Sequence, residues 1–85
     1  MRTAVHTQAE DEVVQFLTEQ PTPEQIVNFR LSDVVAERFY ELVHSDRERE
    51  LSADEAKELE TYLYLEHLLE SMKVAAHRKL QARAS

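Results

Sequence analysis

The stretch Thr61-Tyr62-Leu63-Tyr64-Leu65-Glu66-His67-Leu68-Leu69-Glu70-Ser71-Met72 decides the fold. At about 100° per residue, Tyr62, Leu65, Leu69, Met72, Ala76 and Leu80 fall on one stripe of a helix. Tyr64, Leu68 and Ala75 widen that stripe, and Ala56, Leu59 and Leu63 form a second one rotated away from it. Apolar cover over more than half the circumference implies packing from two sides. The helix is expected from about Ala53 to beyond Leu80, roughly 45 Å at 1.5 Å per residue.

Upstream, local signals set out three more helices. Leu51-Ser52-Ala53-Asp54-Glu55 contains a capping box, with Ser52 as N-cap and Glu55 three residues on. Thr7-Gln8-Ala9-Glu10 is a second box, opening a helix from about Gln8 to Glu19 that Pro21 ends. Thr22-Pro23-Glu24-Gln25 is a third, with proline at the first helical position, and starts a short helix over about 23–29. Ser32 caps a helix running from about Asp33 to Asp46. In it Val35, Phe39, Leu42 and Val43 make a stripe, while Glu37, Glu41 and His44 point the other way.

The reading is an all-α domain over residues 1–85: two short N-terminal helices, then an antiparallel helical hairpin with a long C-terminal helix. Residues 1–6 and 81–85 are expected to fray. In the hairpin Val35, Phe39, Leu42 and Val43 are expected against Ala56, Leu59 and Leu63. Helices 1 and 2 are too short to cover the rest, so Tyr64, Leu65, Leu68, Leu69 and Met72 are expected to form an open partner-binding patch.

At 85 residues a single core is marginal, which favours an oligomer or an obligate partner. The chain has no cysteine, which excludes disulfides and cysteine-based zinc sites and fits a cytoplasmic protein. No segment approaches the roughly 20 apolar residues needed to span a bilayer. With no glycine, phosphate-cradling glycine loops are excluded, and turns of positive φ lose their usual residue.

Net charge is −7 and uneven. Residues 1–72 hold six Lys/Arg against seventeen Asp/Glu, a net of −11, and residues 73–85 add four Lys/Arg, +4. The acidic body argues against a sequence-independent grip on nucleic acid and suits a partner with a basic surface. Lys73, Arg78, Lys79 and Arg83 form a basic helical tail that could touch nucleic acid or an acidic patch. Four charges without an aromatic fit a solvated helix end better.

Chemistry-bearing patterns are sparse. Glu41-Leu42-Val43-His44 has the Glu-x-x-His spacing of carboxylate-bridged metal sites, but those need two such motifs and further glutamates turned inward. His67 and Glu70 are three apart on a polar face, without a nucleophile or second carboxylate posed beside them. Neither an enzyme, a metal nor a cofactor is expected.

The segments Pro21-Thr22-Pro23-Glu24-Gln25-Ile26-Val27-Asn28-Phe29-Arg30, Asp46-Arg47-Glu48, Leu51-Ser52 and Glu60-Thr61-Tyr62-Leu63-Tyr64-Leu65-Glu66-His67-Leu68-Leu69 resemble a family of small all-helical bacterial proteins, common in cyanobacteria. The likeness runs from about Phe16 to Arg83. Members are often encoded beside small HNH or PIN-type nucleases, so the resemblance implies an antitoxin-like, nuclease-inhibiting partner protein with no catalytic residues. This chain has Arg49 where the family usually has glycine and Ala53 where it has proline, which puts the connection between helices 3 and 4 in question. Two other functions fit the residues: a self-associating adaptor that closes a homodimer, and a small nucleic-acid-binding regulator using the basic tail.

Ser52→Ala should cost about 0.5–2 kcal/mol in urea unfolding, because it strands N–H groups at the start of the long helix.

Overall fold

The computed structural model describes residues 7–84. The described residues are helical apart from short connectors: α1 is Gln8–Thr18, α2 Pro23–Asn28, α3 Asp33–Glu48 and α4 Ala53–Ala84. The expected fraying of residues 1–6 lies outside the described residues. α4 stays helical to Ala84, past residue 81 where loosening is expected. Its 32 residues span about 48 Å.

The caps follow the local chemistry. Thr7 Oγ1 accepts the Glu10 N–H at 3.1 Å, and the Glu10 carboxylate accepts the Thr7 N–H at 2.9 Å. Thr22 with Gln25 and Ser52 with Glu55 make the same reciprocal pairs. The Glu55 carboxyl is held down to about 2 by hydrogen bonds from the Arg49 guanidinium and the Ser52 N–H.

Arg49 itself is extended, at φ −158° and ψ 168°, a conformation open to any residue, so this connector requires no glycine. α3 stops at Glu48 and α4 starts afresh at Ala53. Positive φ falls instead on Gln20, at 54°, just after α1. In a chain without glycine that residue carries the strain.

Ala9, Val13, Val35, Leu42, Tyr62, Leu65 and Leu69 form the buried core, with Phe29, Leu31, Phe39, Leu59 and Met72 packed against it. Phe16 of α1 stacks on Phe29 after α2, with ring centroids 4.1 Å apart. Phe39 of α3 meets Tyr62 of α4 edge-on at 5.9 Å. Ala76 is buried farther along α4.

The packing on α4 has one feature that no expectation covered and one that corrects an expectation. α2, not α3, makes the most extensive contact with α4. Short as it is, α2 lies along the C-terminal half of α4, and Glu24 near its start reaches Arg83 at 3.5 Å. The surface of α4 that faces inward also differs. Leu63 is 52 % exposed and Ala56 is exposed, so their stripe is not the core seam that α3 fills. α3 instead meets the stripe of Tyr62, which leaves Leu59 half-buried at the margin. One stripe suffices because α1, α2 and α3 all gather on the same side.

The molecule is thin, about 50 × 31 × 18 Å. Its radius of gyration is 15.2 Å; a compact chain of this length would have about 12 Å. The thinnest dimension fits two helices side by side and no third layer.

Leu42 is 1 % exposed, and Leu42→Ala should destabilise the fold by about 2–5 kcal/mol. Leu63→Asp should leave the melting temperature and helical circular dichroism almost unchanged. Loss of helix in Leu63→Asp would return residue 63 to the core.

Candidate functional site

The residues expected to form one open patch are split by the fold. Leu65 and Leu69 are 7 % and 8 % exposed and belong to the core, and Met72 packs against it. Leu68 is half-buried. Tyr64 alone of the five is freely exposed, at 66 %, next to the exposed Leu63. The reason is angular: Leu65 and Leu69 lie close to Tyr62 around the helix, whereas Tyr64 is turned about 160° from it. Tyr64 therefore does not widen the Tyr62 stripe, and Leu65 and Leu69 are core and not open patch.

Tyr62 and Tyr64 take opposite roles. Tyr62 is buried, and its O–H donates to Glu58 at 3.2 Å. Arg38 of α3 donates to both oxygens of the same carboxylate, from Nε and Nη2, each at 2.8 Å. Such a two-pronged pair fixes orientation as well as distance. The Arg38 hydrogen bonds hold the Glu58 carboxyl below its ordinary range against the opposing effect of burial, and they push Arg38 further above its own. Burial and the Glu58 charge push the Tyr62 phenol up.

A second polar junction ties α1 to the start of α3. The Ser32 N–H and hydroxyl donate to the Glu12 carboxylate at 2.9 and 2.6 Å, while Ser32 Oγ accepts the Val35 N–H at 3.3 Å. Burial raises the Glu12 carboxyl, but the bonds from Ser32 and Gln8 outweigh it, and the group sits below its ordinary range. Nothing local announces this contact, since its partners are twenty residues apart.

Above this core runs a half-open trough of about 860 Å³, lined by α4, the α2–α3 connector and the first turns of α3. Its apolar lining includes Phe29, Leu31, Phe39, Leu65 and Leu69, and its charged lining is Arg30, Glu66, Glu70, Lys73, His77 and Arg78. The basic tail is thereby divided. Lys73 and Arg78 line the trough, Arg83 pairs with Glu24, and Lys79 is exposed outside it. Composition could not reveal the trough, because one wall comes from a connector lying more than thirty residues upstream in sequence.

The candidate chemistry dissolves into surface pairs. Glu41 accepts from Arg38 at 3.3 Å, and His44 stacks on Tyr40 and lies 3.3 Å from Glu48. His67 and Glu70 are exposed. Among the described residues no three His, Cys, Asp or Glu side chains are grouped to hold a metal ion. No helix among them is long and apolar enough to cross a membrane. No family model, curated protein or solved structure matches the chain.

Glu12 and Glu58 both titrate below 4.5 when folded, so each contributes stability that is complete above pH 4.5 and lost as pH falls through its folded value. The free energy of unfolding should therefore fall in acid. Glu58→Gln should be less stable than the wild type at neutral pH and should lose less on acidification, as read by urea titrations on both sides of pH 4.5. Parallel acid limbs would remove Glu58 from the acid response.

Proposed function

We propose that the chain is a non-catalytic protein-binding module, an antitoxin-like inhibitor of a small bacterial nuclease, presented on an α3–α4 helical hairpin. The observation that carries this reading is Tyr64, a large amphipathic side chain 66 % exposed beside Leu63 on a strongly acidic protein. Tyrosine is favoured at the centre of protein interfaces because it buries apolar area at low entropic cost and keeps a hydroxyl for a partner. The acidic excess of residues 1–72 supplies long-range attraction to a basic surface, which a nuclease needs for its own substrate. The resemblance to helical proteins encoded beside nucleases gives the partner class. The small core agrees with a protein that gains stability from association.

The experiment is co-purification from the native host, followed by a nuclease assay of the captured protein with and without added chain. An equimolar amount should suppress the activity, and rising salt should weaken the complex. Tyr64→Ala should raise the dissociation constant at least about tenfold with circular dichroism unchanged. A captured protein without nuclease activity would overturn the inhibitor reading. Undiminished binding by Tyr64→Ala would move the contact surface elsewhere.

A further inference from the structure

The trough presents charges in a particular order. On its α4 wall the acidic Glu66 and Glu70 come first and the basic Lys73 and Arg78 follow. Glu66 and Arg78 are equally far from residue 72, one on each side, and Glu70 and Lys73 nearly so. A helix of the same sequence laid antiparallel across this wall, with a two-fold axis near residue 72, sets Glu66 of each copy beside Arg78 of the other. It also sets Glu70 beside Lys73. Each contact then occurs twice, as a two-fold interface demands.

These charges are available. Arg38, Arg49 and Arg83 are all engaged in ion pairs, whereas Arg30, Glu66, Glu70, Lys73 and Arg78 make none among the described residues. Val74, 49 % exposed, lies on the same wall two residues from the axis and adds apolar surface there. Arg30, on the opposite wall, adds a cation to meet the incoming glutamates.

We propose that the trough is the seat of a second copy of this chain, occupied by the 66–78 segment of the copy's α4 in antiparallel orientation. That segment is about 18 Å of helix. Its insertion would give the thin molecule the third layer it lacks and cover the half-open apolar lining around Phe29 and Leu31. A heterologous helix would have to carry the reverse charge order by separate design, whereas a second copy carries it by symmetry. The inference rests on the protein-binding reading above and names the occupant of a different face. Tyr64 does not line the trough, so a pair formed in this way keeps it open to a heterologous partner.

The test uses two double variants of the full chain. Glu66→Lys with Glu70→Lys makes the α4 wall wholly basic, and Lys73→Glu with Arg78→Glu makes it wholly acidic. Sedimentation equilibrium at concentrations well above micromolar should give the wild type twice the monomer mass of 9.9 kDa and each variant alone the monomer mass. An equimolar mixture of the two should return to twice 9.9 kDa. Circular dichroism should match the wild type, since the substituted groups make no ion pair among the described residues. If either double variant loses helix, the single substitutions Glu70→Lys and Lys73→Glu are mixed in its place. A monomeric wild type, variants that remain dimeric, or a mixture that stays monomeric would each overturn the proposal. A monomeric wild type that still inhibits a nuclease through Tyr64 would sink self-docking alone, so the two readings fail separately.

Discussion

The rest of the molecule depends on covering one stripe of α4. The helix is about 48 Å long, and Tyr62, Leu65, Leu69 and Ala76 are buried along it. Each large apolar side chain so buried contributes about 1.5–3 kcal/mol. The other helices are shorter, and α2 has only six residues. A helix of that length is unstable alone in water, because nucleation costs more than a single turn returns. Its capping box sets where it begins, but contact with α4 keeps it formed. The dependence is mutual, since α4 without α1, α2 and α3 would expose its whole apolar stripe.

Two polar junctions orient the cover. Glu12 reaches from α1 to the backbone and hydroxyl of Ser32, so the side chain that caps α3 is itself held by another helix. Arg38 clasps Glu58 with two hydrogen bonds, and Tyr62 donates to the same carboxylate from below. Apolar packing is weakly directional, whereas a two-pronged guanidinium–carboxylate pair accepts little rotation or sliding. The pair therefore fixes where α3 lies along α4, and Phe39 meets Tyr62 beside it.

Gathering the short helices on one side of α4 has consequences for association. Opposite that layer, Tyr64 is left in solvent. Beside it, the α2–α3 connector and α4 enclose a trough whose apolar lining is incompletely covered. The two surfaces differ in kind. Around Tyr64 an exposed aromatic stands beside the exposed Leu63. In the trough, charges of both signs follow one another in an order that an antiparallel copy matches. A small protein with little core gains from filling either one, since binding adds to the stability of the folded state.

The sequence by itself determined the helices and where each begins. Thr7 with Glu10, Thr22 with Gln25, Ser32, and Ser52 with Glu55 act within one turn, so their signals are readable in a few consecutive letters. The all-α class and the long C-terminal helix were legible for the same local reasons. The tertiary structure alone decided which side of α4 is the inside. Periodicity offered two stripes, that of Tyr62 and that of Leu63, and hydrophobicity does not rank them. The ranking came from contacts between residues distant in the chain: Phe16 on Phe29, Glu12 on Ser32, Arg38 on Glu58. Those contacts drew α1, α2 and α3 to the Tyr62 side, buried Leu65 and Leu69, and left Leu63 in solvent. The trough has the same origin, because its walls come from segments that only the folded chain brings together.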